Sequence, residues 1–132
     1  MAHEQLAIPL NPTGIWYHGS DKHLSVLYKG TTITQIRGLA EVFSHQPTTV
    51  VFTDNGRLYH NGLAAGLLYR IIEPIAEIDI EPHPRTSMPQ GWEWLIRRPL
   101  RIDLIGSVTV DPAQQITAEL LREWGMTQCS KV

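Results

Sequence analysis

Glycine and proline recur so often in this sequence that only short helices and strands fit between them. The 132 residues include 10 glycines and 9 prolines, and these residues are the strongest turn signals in a chain. Most segments between them are short runs of β-branched and apolar residues, which are typical of strands. We predict about seven strands, at 14–18, 31–34, 48–52, 57–60, 67–72, 92–96 and 100–105. The turn Asp54-Asn55-Gly56 predicts that the third and the fourth of them form a hairpin.

Helical spacing occurs in two longer segments. Ile36–His45 has apolar residues three and four positions apart and is followed by a proline, which predicts a helix. The segment 111–124 is predicted to be the C-terminal helix, because Asp111 can cap its start and Gly125 can end it. The apolar run Leu24–Leu27 fits a short helix or a turn. Together the elements predict a compact α+β fold.

The length fits a single domain, 1–132, and the composition indicates the kind of compartment in which the protein works. Residues 1–13 are expected to be a lead-in arm, because Pro9 and Pro12 break any helix there. Apolar residues make up 42% of the chain, which is enough for one core. The single cysteine, Cys129, excludes an internal disulfide and suits a reducing compartment. No apolar stretch approaches ~18 residues and no signal-peptide pattern is present, so we expect a cytoplasmic protein without a membrane span.

Charge and spacing also argue against several classes of function. The formal net charge of −2 provides no general attraction to nucleic acid. The six histidines show neither HxxxH nor HxH spacing, so no metal site is predicted. The sequence contains neither the phosphate-binding pattern GxxxxGK(S/T), nor GxGxxG, nor the GxSxG of serine hydrolases.

A first candidate for chemistry is the run Tyr17-His18-Gly19-Ser20 at the end of the first predicted strand. Glycine has no Cβ and lets the backbone approach a flat ligand closely. The His18 ring can hydrogen-bond a ribose hydroxyl, and the Ser20 hydroxyl can meet an amide. The alternative is a strand end followed by a polar turn.

A second candidate is Glu93, which lies between Trp92 and Trp94 after a proline-rich loop at 83–91. A carboxylate among aromatic side chains is costly unless it has a function or a partner. The alternative is a structural ion pair with a nearby arginine. The candidate partners are Arg97, Arg98 and Arg101.

The order of these pieces resembles the ADP-ribosyltransferase superfamily. The run at 17–20 resembles the first motif of its histidine branch, which includes poly-ADP-ribose polymerases, diphtheria-type toxins and rifampin ADP-ribosyltransferases. Glu93-Trp94-Leu95, with 100–102 in the following strand, resembles the late glutamate motif of the superfamily. The resemblance spans roughly 14–108. Further similarity to the small rifampin-modifying enzymes covers 66–74 and 98–102.

This resemblance implies a compact split β-sheet fold and NAD as a substrate. The expected reaction moves ADP-ribose from NAD to a protein or small-molecule acceptor and releases nicotinamide. Glu93 would be the catalytic carboxylate that stabilises the ribose cation, and His18 would hold the adenosine-side ribose. The NAD-binding residues would be Tyr17, His18, Gly19, Ser20 and Thr34.

The chain departs from the histidine branch at the second motif, where that branch usually has a tyrosine that stacks on nicotinamide. Thr34 and Gln35 stand near that place, in the strand-to-helix junction before the first predicted helix. Stacking would then come from Tyr17, Tyr28 or a tryptophan.

Several alternatives stay open at this point. The rifampin enzymes use an acidic residue from an earlier stretch, which makes Asp79 and Glu81 rivals of Glu93 for the catalytic function. A cluster of arginines is either a solvated or paired face, or a site for the NAD pyrophosphate or an anionic acceptor. An NAD-using RNA 2′-phosphotransferase and a non-catalytic NAD-binding module are the alternative functions. The arginine cluster comprises Arg85, Arg97, Arg98 and Arg101.

Overall fold

The computed structural model describes residues 14–125. The predicted lead-in arm at 1–13 and Cys129 lie outside the described residues. Within the described range the chain has a mixed α/β structure, mostly strands with two short α-helices. In chain order the elements are β1 (Tyr17–Ser20), β2 (Val26–Leu27), β3 (Thr32–Ile33), α1 (Arg37–Phe43), β4 (Val50–Phe52), β5 (Leu58–His60), β6 (Gly66–Ile71), β7 (Ile80–Pro82), β8 (Trp94–Ile96), β9 (Leu100–Val108) and α2 (Ala118–Glu123).

The strands form three antiparallel sheets. The largest has the order β1-β6-β9-β2, the second has the order β3-β8-β7, and the third is the hairpin β4-β5. An isolated antiparallel bridge between Tyr17 and Thr34 joins the edge strand β1 of the first sheet to the end of β3 in the second. Two edge strands from different sheets therefore lie side by side. The candidate functional residues lie at this junction.

Two apolar clusters form the core. The larger lies between the first two sheets, and the smaller packs α1 against the β4-β5 hairpin and the loop before β8. The larger cluster contains Trp16, Leu27, Ile33, Tyr69, Ile80, Ile96, Leu100 and Ile102. The smaller contains Leu39, Val42, Val50, Met88 and Trp92. Burial of these side chains is the main favourable term for the fold.

Gly19 allows helix α1 to pack directly on strand β1. A Cβ atom at Gly19 would lie 1.8 Å from the carbonyl oxygen of Ala40 and 2.8 Å from the amide nitrogen of Ser44. Any side chain larger than hydrogen would therefore push the helix away from the strand. This close contact places the C-terminal end of α1 next to His18.

The hairpin and the first helix are confirmed. β4 and β5 pair with Val50 opposite His60 and Phe52 opposite Leu58. Helix α1 lies inside the predicted segment Ile36–His45. The prediction of a helix or a turn at Leu24–Leu27 is wrong for its second half, because the last two residues form β2 and pair with β9.

The prediction of one C-terminal helix over 111–124 is wrong. Pro112–Gln114 forms a single 3₁₀ turn, which the Asp111 side chain caps by accepting a hydrogen bond from the Ala113 amide. The chain then leaves the helical path, because the Ile116 amide donates to the carbonyl of His60 at 3.0 Å. This bond to β5 replaces a helical one.

Helix α2 begins only after this extended segment. The Thr117 hydroxyl accepts a hydrogen bond from the Leu120 amide at 3.1 Å and caps the helix. Gly125, with φ of +72°, follows the helix as predicted. Within residues 14–125 no helix is long and apolar enough to cross a membrane.

Candidate functional site

A cleft of about 350 Å³ opens where β1, β3 and the end of α1 meet. It lies at the junction of the first two sheets and is lined by polar and apolar side chains in similar measure. The cleft contains every residue predicted for the site, although these residues come from three separate parts of the sequence. They are Tyr17, His18, Gly19, Ser20, Thr34 and Glu93.

Backbone pairing brings these three parts together. The Tyr17 amide donates to the Thr34 carbonyl at 2.7 Å, and the Thr34 amide donates to the Tyr17 carbonyl at 3.0 Å. In the second sheet, Ile33 lies opposite Trp94. Glu93 precedes Trp94 in the chain and therefore lies beside Thr34, at the mouth of the junction.

One nitrogen of the His18 ring forms a hydrogen bond within the fold, and the other is available to a ligand. Its Nδ1 lies 2.8 Å from the carbonyl oxygen of Thr32. A carbonyl can only accept, so Nδ1 carries the hydrogen. Burial lowers the pKa of His18 below its ordinary value of 6.5, against the opposing effect of the bond to Thr32. At neutral pH the ring is therefore neutral, and Nε2 has a lone pair that can accept from a hydroxyl group.

Glu93 is buried, with 8% of its surface exposed. The Thr86 hydroxyl donates a hydrogen bond to its Oε2 atom. No arginine within residues 14–125 lies at ion-pair distance from this carboxylate, which removes the alternative of a structural ion pair. Glu93 thus lines the cleft with one carboxylate oxygen bonded to a hydroxyl donor.

Two arginines near Glu93 in sequence, Arg98 and Arg101, pair with other carboxylates. Arg98 Nε lies 2.9 Å from Asp79 Oδ1, and its Nη1 lies 3.2 Å from Glu73 Oε1. Arg101 donates its backbone amide to Glu73, and its Nε lies 3.7 Å from the same carboxylate. The amide of Arg101 is the main cause that lowers the pKa of Glu73, and the Arg98 guanidinium is the main cause that lowers the pKa of Asp79. This part of the arginine cluster is therefore a paired face.

The two rival acids do not reach the cleft. Asp79 is held by Arg98 and by the Ala76 amide, which donates to its Oδ2 at 2.8 Å. Glu81 is exposed on β7, opposite Leu95. Of the three acidic residues considered from the sequence, only Glu93 lies among the cleft residues.

The backbone of Gly19 offers a donor and an acceptor to the cleft. The Ile71 amide donates to the Trp16 carbonyl, so Trp16 directs its polar groups toward β6. Backbone groups alternate in direction along a strand, and Tyr17 and Gly19 therefore direct theirs toward the other edge. Tyr17 uses its groups on Thr34, whereas those of Gly19 face the cleft. The missing Cβ points at Ala40, so helix packing also requires a glycine here, and the close approach of a flat ligand stays a prediction.

Ser20 and Thr34 each use a hydroxyl oxygen to stabilise a turn. The Lys22 amide donates to Ser20 Oγ at 3.1 Å, and the Ile36 amide donates to Thr34 Oγ1 at 3.0 Å. Both contacts use only lone pairs of the oxygen. Each hydroxyl can still donate its own proton.

The aromatic surface of the cleft comes from Tyr17 and from Phe43 at the end of α1. Tyr28, a candidate for stacking, is 68% exposed and lies outside the cleft. Trp16 and Trp94 contact each other edge to face at 6.1 Å in the core. Phe43 was predicted only as a helix residue, because its spacing matches that of the apolar face.

Gln46 and Pro47 also line the cleft and were not predicted. Gln46 has a φ of +57°, the single positive value among non-glycine residues at 14–125. This conformation costs an ordinary residue about 1–2 kcal/mol. Sequence alone gave no signal for it, because glycine or asparagine is the usual choice at such a position.

Within residues 14–125 no group of three or more His, Cys, Asp or Glu side chains could hold a metal ion. Comparisons of the chain with protein-family models, curated proteins and solved structures find no match. The interpretation of the cleft therefore depends on the chemistry of its own residues.

Proposed function

We propose that this protein is an NAD-dependent ADP-ribosyltransferase with a compact split β-sheet fold. The observation that carries the proposal is the buried Glu93 carboxylate, which has no arginine partner within residues 14–125 and shares a cleft with His18 and Gly19. A charged group in a dry site is costly, and catalysis is a common reason for keeping one.

The chemistry would be cleavage of the bond between nicotinamide and ribose. The bonding electrons pass to the pyridinium nitrogen, nicotinamide leaves as a neutral molecule, and positive charge develops on the ribose. Glu93 would stabilise this charge as it forms, and the effect is large because the carboxylate is shielded from water. The acceptor nucleophile then attacks the cationic carbon and loses its proton.

The remaining groups suit the polar parts of NAD. His18 Nε2 can accept from a ribose hydroxyl. The Gly19 amide and carbonyl match the carbonyl oxygen and the NH₂ group of a carboxamide. The hydroxyls of Ser20 and Thr34 can add donors, and the rings of Tyr17 and Phe43 can flank nicotinamide. Phe43 would thus contribute the stacking surface that the family usually takes from a second-motif tyrosine.

A protein or small-molecule acceptor fits the chain better than RNA. RNA 2′-phosphotransfer requires free arginines around a phosphate, whereas Arg98 and Arg101 are paired with carboxylates. The net charge of −2 also provides no general attraction to nucleic acid. We place the reaction in the cytoplasm, a reducing compartment that suits a chain with one cysteine.

The test is release of nicotinamide from NAD by the purified protein, with and without cell extract, followed by mass spectrometry of the extract. The proposal expects nicotinamide release and a new ADP-ribose adduct on a protein or small molecule. NAD binding without any release would indicate a non-catalytic module. Removal of a 2′-phosphate from RNA, without release from NAD alone, would favour the phosphotransferase.

A further inference from the structure

Thr86 joins the loop before β8 to the Glu93 carboxylate. The Met88 amide donates to Thr86 Oγ1 at 3.0 Å, and the same hydroxyl donates to Glu93 Oε2. The amide of Met88 occupies a lone pair of the oxygen, which leaves the hydroxyl proton directed at the carboxylate. Thr86 is thus oriented as a donor before any ligand enters the cleft.

The loop that carries Thr86 is itself anchored. Met88 is buried in the apolar cluster that contains Leu39 and Val42 of α1. The His83 amide donates to the Glu93 carbonyl at 3.1 Å and closes the base of the loop. The hydroxyl is therefore fixed relative to α1, which borders the cleft, and relative to the strand that follows Glu93.

We propose that Thr86 is a positioning residue that sets the rotation of the Glu93 carboxylate. With Oε2 held by the Thr86 hydroxyl, Oε1 is the oxygen left to face the ribose. A carboxylate on a glutamate side chain otherwise samples several rotamers and a broad terminal torsion. A preorganised charge stabilises a transition state without reorganising during the reaction. This inference rests on the proposed function and adds a residue outside the family-like motifs.

The experiment compares nicotinamide release by Thr86→Val, Thr86→Ser and wild type, per folded molecule. Valine has the shape of threonine without the hydroxyl, and serine keeps the hydroxyl. We expect Thr86→Val to lower kcat about tenfold, the scale of a lost hydrogen bond to a charged group. The KM for NAD should change by less than about twofold, and Thr86→Ser should restore turnover. If Thr86→Val does not fold, Thr86→Ala takes its place, because it removes the hydroxyl and leaves room.

Two controls separate positioning from a structural effect. Thr53→Val removes a hydroxyl that accepts from the Arg57 amide at 3.2 Å in the β4-β5 turn, outside the residues that line the cleft, and should leave kcat unchanged. In the Glu93→Gln background, Thr86→Val should cause no further tenfold loss, because the residue it positions is already neutral.

Wild-type kcat in both Thr86→Val and Thr86→Ala would overturn the inference while leaving the proposed function intact. A full tenfold loss on top of Glu93→Gln would also overturn it, since Thr86 would then act by another route. Absence of nicotinamide release by folded wild-type protein, with and without extract, would remove the proposed function and this inference together.

Discussion

Tyr17 and Thr34 exchange two backbone hydrogen bonds, of 2.7 and 3.0 Å, and this exchange is the only backbone-to-backbone pairing between β1 and the β3 end within residues 14–125. No further backbone pair joins the two strands within these residues, and Gly19 and Ser20 line the cleft. The cleft lies where this backbone pairing between the two sheets stops.

NAD should raise the melting temperature of the protein, and His18→Ala should abolish the effect. The reason is mass action: at 100 times its dissociation constant a ligand stabilises the folded state by about 2.7 kcal/mol. His23→Ala, an exposed histidine outside the cleft, should keep the full shift in a thermal melt. A folded wild type that shows no shift at millimolar NAD would count against the family assignment.

Glu93→Gln should lower nicotinamide release by ~10²–10³ while leaving NAD binding intact. The amide keeps the shape of the side chain, and its oxygen can still accept from Thr86. The free energy of unfolding should change by less than about 1 kcal/mol, because no arginine in the described part of the chain pairs with Glu93. Glu81→Gln on β7 is the matched control and should be fully active. Loss of turnover in Glu81→Gln alone would transfer the catalytic function to that residue.

Stability should fall as the pH drops from 7 to 5, because two histidines are neutral in the folded protein. Burial is the main cause that lowers the pKa of His18, and burial with the stacked His45 ring lowers that of His60, both from 6.5. The unfolded chain therefore binds more protons than the folded protein below pH 6.5. The stability that the neutral histidines contribute is present above pH 6.5 and is lost as the pH falls toward the pKa values of the folded protein.

Urea unfolding at pH 5, 6, 7 and 8 measures this slope. His60→Gln should have a flatter dependence than wild type between pH 7 and 5, whatever its absolute stability. His60 Nδ1 accepts from the Gly62 amide at 3.0 Å, so protonation of the ring at that atom also breaks a buried hydrogen bond. Stability that rises toward pH 5 would contradict the assignment of neutral rings.

Gly19→Ala should reduce the free energy of unfolding by about 3 kcal/mol, the upper range for overpacking a close contact. The added methyl would meet the backbone of Ala40, which cannot move without displacing α1. Gly38→Ala, with open space around its Cβ position in the same helix, should instead raise stability by roughly 0.5–1 kcal/mol. Equal effects of the two changes in urea unfolding would show that α1 does not rest on β1 in this way.

Local signals were sufficient for several elements. The turn Asp54-Asn55-Gly56 predicted the β4-β5 hairpin, and the apolar spacing of Ile36–His45 predicted α1, because turn chemistry and helical periodicity involve only near neighbours. The cap at Asp111 was also predicted, yet the helix it should begin does not continue. There the hydrogen bond from the Ile116 amide to β5 replaces the hydrogen bond that a continued helix would form. A partner so distant in the sequence cannot be predicted from a local pattern.

For the candidate site, too, some features could be predicted from the sequence and others depended on the tertiary structure. The sequence by itself determined which side chains are available: a histidine followed by a glycine, which lie within β1 rather than at the predicted strand end, and a glutamate between two tryptophans. Only the tertiary structure decided their partners. Asp79 and Arg98 neutralise each other, whereas Glu93 bonds to Thr86 and reaches the cleft with His18. The physical reason is that an ion pair forms only over a few ångströms, and the distance between two side chains depends on how the strands pair rather than on how far apart they stand in the chain.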